Sequence, residues 1–131
     1  MNKRTVQINF IAPPDTMEEL EELAAKDDRK FSYFVGNILK KEIYENENFI
    51  DDSSRRDMLL KYKPIVDKYW PKRTGIDPCK HTISIPNSVK EKMTEDKEYL
   101  KELIPGLYAK NTIVLIAVYK FLKESGETEE E

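Results

Sequence analysis

Two stretches of this chain alternate apolar and polar residues and then run through proline into a helical pattern. The first covers residues 5–10 (TVQINF) and precedes Pro13 and Pro14, and the second covers residues 80–85 (KHTISI) and precedes Pro86. A period of two predicts a β-strand with one apolar face and one hydrogen-bonding face. A unit of about 45 residues buries too little core alone, so the two units are expected to pair with each other or with further chains.

Each strand is followed by the pattern of two helices. Apolar residues recur at three- and four-residue intervals; in the first copy these are Met17, Leu20, Leu23 and Ala24, then Phe34, Val35, Ile38, Leu39 and Ile43, and in the second Val89, Met93, Leu100 and Leu103. The predicted helix caps are Asp15 or Thr16, Ser32, and Asn87 or Ser88. Pro105-Gly106 is expected to stop the third of these helices.

The stretch that begins at Asn111 is apolar on nearly all sides. Its β-branched residues would also suit a buried strand, but its length and its match to residues 32–44 favour a helix. Such a helix must lie at the centre of the core or at a subunit interface. We expect the core to include Ile83, Ile85, Val114 and Val118.

The segment between the copies is expected to be helical, with Ser53 or Ser54 as its cap. Its apolar positions are Met58, Leu59, Tyr62, Ile65, Val66, Tyr69 and Trp70. Pro64 is predicted to kink this segment or split it into two short helices. Trp70 is expected to pack on a flanking unit, and the acidic residues 126–131 are expected to be disordered.

Composition limits the location and the partners. Cys79 is the only cysteine, which indicates a reducing cytoplasm, and the longest apolar run is far shorter than a membrane span of about 20 residues. The net charge of −3 argues against indiscriminate coating of nucleic acid, although residues 80–124 hold 8 basic and 6 acidic residues. His81 and Cys79 have no further His or Cys to complete a metal site, so no metal, cofactor or catalysis is expected.

A strand, a proline at the first turn and two helices resemble the ribbon-helix-helix family of DNA-binding proteins, the Arc and MetJ type. The match covers residues 3–44 and 80–123. The resemblance implies a mainly α fold with a short antiparallel β-ribbon that enters the major groove, and second helices that form the core. The family usually has glycine in the turn between the helices, where this chain has Asp28.

The resemblance also implies the site residues. The base-contacting set would be Thr5, Gln7, Asn9, Lys80, Thr82 and Ser84. The phosphate-contacting set would be Lys3, Arg4, Ser32 and Asn111, the last two lying at the start of a second helix, where backbone N–H groups attract anions. A shift of one residue in the first strand would bring Ile11 onto the polar face.

We therefore expect tandem units, residues 1–44 and 80–124, joined by a helical linker, 45–79, with an acidic tail, 125–131. The expected partner is double-stranded DNA, and the expected function is transcriptional regulation. The alternatives are a plasmid transfer or partition accessory protein and an antitoxin-like module that binds a protein through the middle segment or the tail. Strand pairing within one chain, into an asymmetric ribbon that prefers unlike half-sites, is favoured over pairing between chains; self-association remains open.

Overall fold

The fold is mainly helical with one two-stranded antiparallel sheet, as the sequence predicts. This computed structural model describes residues 5–49, 51–69, 79–103 and 109–125, so Trp70, Pro105-Gly106 and residues 126–131 lie outside it. The elements are β1 (Thr5–Ala12), α1 (Pro14–Lys26), α2 (Phe31–Leu39), a π-helical turn (Lys40–Tyr44), a 3-10 turn (Glu47–Phe49), α3 (Asp52–Tyr69), β2 (Cys79–Pro86), α4 (Asn87–Leu103) and α5 (Ala109–Ser125).

The two strands pair with each other within one chain. Their antiparallel register runs from Thr5 opposite Pro86 to Ala12 opposite Cys79. Pairing within the chain is thus the arrangement of this structure, as favoured from the sequence. Each strand then leads almost directly into a helix, because α1 begins after Pro13 and α4 begins at Asn87.

Helix α5 runs through the middle of the protein. Residues 112–120 are all buried, and the helix contacts α2, α3, α4 and β1. The helical prediction for this stretch is therefore confirmed over the strand alternative. Ile83, Ile85, Val114 and Val118 are fully buried, as expected for core residues.

The caps of the first two helices differ from the sequence prediction. Helix α1 begins at Pro14, and Asp15 lies inside its first turn, where its carboxylate accepts from the Thr16 N–H at 3.0 Å. Helix α2 is preceded by Lys30, with no side-chain cap, and Ser32 is its second residue. Proline is already suited to the first turn, since its missing N–H would have no intrahelical partner there, so α1 needs no side-chain cap.

The turn between α1 and α2 closes on Asp28. Its φ of 56° lies in the left-handed region. The N–H groups of Asp28 and Arg29 donate to the carbonyls of Ala25 and Ala24, which ends α1. Aspartate tolerates this backbone conformation better than most side chains, which explains how the turn forms without glycine.

Residues 52–69 of the middle segment form one helix, α3, which continues through Pro64, so the predicted split at Pro64 is wrong, whereas the predicted kink stays a prediction. Asp51 caps α3 in place of the predicted serines, since its carboxylate accepts from the Ser54 N–H at 3.3 Å and from the Ser54 hydroxyl at 2.9 Å. Leu59 and Val66 are buried on either side of Pro64. Their burial offsets the hydrogen bond that proline removes.

Candidate nucleic-acid interface

One face of the ribbon carries the base-contacting residues predicted from the sequence. Paired residues of an antiparallel sheet share a face, and the register places Gln7 opposite Ser84 and Asn9 opposite Thr82. Gln7, Asn9, Thr5 and Lys80 are exposed, whereas Thr82 and Ser84 are partly exposed. The structure therefore brings all six residues together on one accessible face.

The opposite face of the ribbon belongs to the core. Phe10, Ala12, Ile83 and Ile85 are fully buried beneath the polar face. His81 lies on this inner face as well, with its ring 4.1 Å from the ring of Phe31 at the start of α2. Both strands therefore pack on the core through one face, which leaves the polar face accessible.

Ile11 lies on the polar face, because it pairs with Lys80. Its main chain is bound at the outer edge of β1 by the amide of Asn111, which accepts from the Ile11 N–H at 2.9 Å and donates to the Ile11 carbonyl at 3.0 Å. The Asn111 side chain therefore attaches the first turn of α5 to the ribbon. A phosphate contact at Asn111 would use the backbone N–H groups of the helix start.

The other edge of the ribbon lies against α2. Gly36 packs so closely on β2 that a Cβ atom at this position would overlap the carbonyl oxygen of Ser84. Glycine lowers helix propensity, yet Gly36 is helical and buried. The close approach explains the residue, because any larger side chain would push α2 away from the strand.

Lys110 lies at the start of α5, and Lys90 and Lys97 of α4 are near enough for their charges to act on it; these three residues are called the lysine cluster below. Burial lowers the pKa of Lys110, the second residue of this helix, and the positive charges of Lys90 and Lys97 on α4 lower it further. The sequence prediction missed this cluster, although Lys110 directly precedes Asn111 at a predicted helix start. Clustered cations and the positive end of a helix dipole attract an anion such as phosphate.

The remaining phosphate-contacting predictions fall at two places. Ser32 lies in the first turn of α2 and is half-buried, next to Phe31, which contacts the ribbon through His81. Lys3 and Arg4 lie outside the described residues. Lys30, immediately before α2, is exposed and adds a cation at that helix start.

A buried charge cluster joins α3 to α4. Two nitrogens of Arg55 donate to the carboxylate of Asp96 on α4 at 2.7 Å each, and Arg56 and Tyr44 donate to the same carboxylate at 2.9 and 2.7 Å. Burial alone would raise the pKa of Asp96, but hydrogen bonds from Arg55, Arg56 and Tyr44 outweigh it and lower the pKa. Burial and the nearby Asp96 charge raise the pKa of Tyr44.

Lys120 forms a second buried ion pair, on α5. Its ammonium group donates to Glu42 at 3.0 Å and to Glu124 at 2.9 Å. Arg55, Asp96 and Lys120 are buried although they are charged, and no sequence pattern marks them as buried residues. The pairs Arg55–Asp96 and Lys120–Glu42 join elements distant in sequence, which suits a structural role.

Comparison of the chain with models of known protein families, with curated proteins and with solved structures returned no match. The resemblance to ribbon-helix-helix proteins therefore stays a prediction from the sequence. Within residues 5–49, 51–69, 79–103 and 109–125, none of the helices has the length and apolar character needed to cross a membrane.

Proposed function

We propose that this protein binds double-stranded DNA in a sequence-specific manner, reads the major groove with its β-ribbon and regulates transcription. The observation that carries the proposal is the in-register polar face of the ribbon over a buried apolar face. The major groove is about 12 Å wide and admits a two-stranded ribbon. In this proposal residues 1–44 and 80–124 are two ribbon-helix-helix units, and residues 45–79 are a helical linker.

The side chains on the ribbon suit base edges. Gln7 and Asn9 each offer one donor and one acceptor, which matches the N6 and N7 atoms of adenine. Lys80 suits the O6 and N7 acceptors of guanine. Thr82 and Ser84 accept several bases, so we expect most of the discrimination to come from the first three residues.

Helix starts beside the ribbon would orient the protein on the phosphates. The lysine cluster of Lys90, Lys97 and Lys110 lies near the start of α5, and Asn111 fixes that helix start to the strand edge. Local positive charge of this kind allows phosphate binding despite the net charge of −3. Binding should weaken as salt rises, because each phosphate contact releases counterions.

The protein would act by occupying its site, without catalysis and without a cofactor. A transcriptional regulator and an accessory protein that marks a plasmid transfer or partition origin use the same occupancy. The transcriptional role is preferred here, since a small sequence-reading protein needs no further machinery to block a promoter.

The alternative of a protein-interaction module depends on a middle segment or an acidic tail available to a partner, and of that tail, residues 126–131 lie outside the described structure. Met58, Leu59 and Val66 of α3 are instead buried, and Arg55 is bound to Asp96. The inward use of this helix favours a role in joining the two units. It therefore supports the DNA-reading function over the module.

The proposal is tested by incubating the purified protein with a random duplex library at moderate salt and sequencing the retained DNA. Gln7→Ala and Asn9→Ala should each weaken binding to the selected sequence by about 1–3 kcal/mol while thermal melts stay unchanged. Ser53→Ala, at an exposed position of α3, is the matched control and should bind like the unaltered protein. Full affinity in both folded ribbon variants would contradict the proposal.

A further inference from the structure

The two ends of the ribbon's polar face carry different chemistry. From this we infer that the protein reads an asymmetric site, with adenine at the Gln7 end and guanine at the Lys80 end. This inference rests on the proposed DNA-binding function. It specifies the class of DNA sequence and assigns Gln7 and Lys80 as equivalent positions that read different bases.

The helix starts show which residues of the two strands are equivalent. Aligning Pro14, the first residue of α1, with Asn87, the first of α4, brings four pairs of buried residues into register. The matched pairs are Phe10 with Ile83, Ala12 with Ile85, Thr16 with Val89 and Leu20 with Met93. The same alignment makes Gln7 equivalent to Lys80, in place of the match between Thr5 and Lys80 that the sequence resemblance implied.

The register of the sheet then locates an approximate two-fold axis. Asn9 pairs in the sheet with Thr82, and Thr82 is also the residue that the alignment makes equivalent to Asn9. Gln7 pairs with Ser84, and Ser84 is the equivalent of Ile11, which pairs with Lys80. An axis through the Asn9–Thr82 pair therefore exchanges the two ends of the ribbon.

The helices beside the ribbon support the same axis. Asn111 of α5 binds the main chain of Ile11 at the outer edge of β1. Gly36 of α2 contacts the carbonyl of Ser84 in β2. Ile11 and Ser84 are equivalent residues, so each strand contacts the second helix of the other unit at an equivalent strand position, through the third residue of α5 and the sixth residue of α2.

The axis relates backbones, but the side chains it exchanges are unlike. One end presents Gln7 with Ser84, and the other presents Lys80 with Ile11. Glutamine pairs with the adenine N6 and N7 atoms, lysine with the guanine O6 and N7 atoms, and an apolar side chain such as Ile11 contacts the thymine methyl group. A palindromic site offers equal bases to both ends and would satisfy only one of them.

The register also sets the spacing of the two readings. Gln7 lies opposite Ser84, which is four residues from Lys80 along β2. At about 3.3 Å per residue this separation is about 13 Å, the length of about four base-pair steps. The adenine and guanine positions should therefore fall within one short, directional sequence.

The test is sequence selection with the full chain and two variants that make the ends alike. The unaltered protein should select a motif with adenine at one end and guanine at the other. Gln7→Lys should select guanine at both ends, with a change in base preference on the order of tenfold at the altered end, and Lys80→Gln should select adenine at both ends. Glu21→Gln, an exposed change on α1 that alters charge by the same amount as Gln7→Lys, should keep the original motif.

The outcomes separate the two proposals. A protein that binds a palindromic motif, or whose motif is unaffected by both end variants, would overturn the asymmetric reading and leave DNA binding intact. Retention of no duplex sequence by the folded protein would overturn both. Thermal melts of each variant would show that the exposed replacements leave the fold unchanged.

Discussion

Replacing Asp96 by asparagine tests whether the buried ion pair holds α3 in place. Four hydrogen bonds converge on this fully buried carboxylate, two from Arg55 and one each from Arg56 and Tyr44. Asparagine keeps the shape, but it removes the charge and places an NH2 group against these donors. Breaking a buried pair costs about 3–5 kcal/mol. We expect about 3 kcal/mol, since Asp52 still accepts from Arg55 at 2.9 Å.

Urea unfolding at neutral pH, followed by circular dichroism, measures this loss. Asp57→Asn makes the same chemical change at an exposed position of α3 and should alter the free energy of unfolding by no more than about 0.5 kcal/mol. The double replacement Arg55→Met and Asp96→Leu should recover most of the loss, because the cost comes from an uncompensated buried charge.

The stability of the Asp96→Asn variant should also depend on pH differently from that of the unaltered protein. Hydrogen bonds hold the pKa of Asp96 in the folded protein below its ordinary value of 3.8. The carboxylate therefore stabilises the fold at pH values above 3.8, and this contribution disappears as pH falls through the lower folded pKa. Asp96→Asn should lose less stability on acidification than the unaltered protein. A variant with equal stability and an equal acid profile would refute the reasoning.

Three further changes test the packing and the charge around the ribbon. Gly36→Ala should destabilise the fold by about 1–3 kcal/mol through overlap with Ser84, although helix propensity alone favours alanine by about 1 kcal/mol; a higher melting temperature would contradict the close approach. Four core residues, Ile83, Ile85, Val114 and Val118, should each lower the free energy of unfolding by about 1–4 kcal/mol when replaced singly by alanine, before DNA contact is affected. Unchanged melts in all four variants would argue against their role in the core. Lys110→Ala should weaken DNA binding similarly for all sequences and reduce its salt slope by about one, measured by titrations at several salt concentrations; an unchanged slope would exclude the phosphate contact.

Local patterns in the sequence were sufficient to predict the strands and the central helix. Apolar and polar residues alternate in 5–10 and 80–85 because only one face of each strand packs on the core. The structure has strands at both places. The apolar stretch after Asn111 is predicted to be a helix because it exceeds the usual length of a strand, and the structure has a helix there. The polar face of the ribbon follows from the same alternation, so the six base-contacting candidates are together as expected.

Predictions of helix starts and breaks were less successful, because neighbouring elements decide them. Proline at the first turn of α1 replaces a side-chain cap, and Asp51 caps α3 from outside the predicted serines. Pro64 lies within an unbroken helix whose buried flanking residues outweigh its missing hydrogen bond. Helix propensity and capping favour or disfavour a single turn, whereas burial against other elements stabilises the whole helix.

The sequence by itself determined that two alternating strands and an apolar helix each have an apolar surface that must be buried. Only the tertiary structure decided which residues of these elements lie next to each other. The pairing of Asn9 with Thr82 and the ion pair between Arg55 and Asp96 join positions far apart along the chain. The alternation of apolar and polar residues in a strand is unchanged when its partner strand slides by two residues. The sequence around an aspartate likewise does not show whether its side chain is buried or exposed. The register and the charge partners therefore depend on how the assembled helices and strands pack, which no local pattern contains.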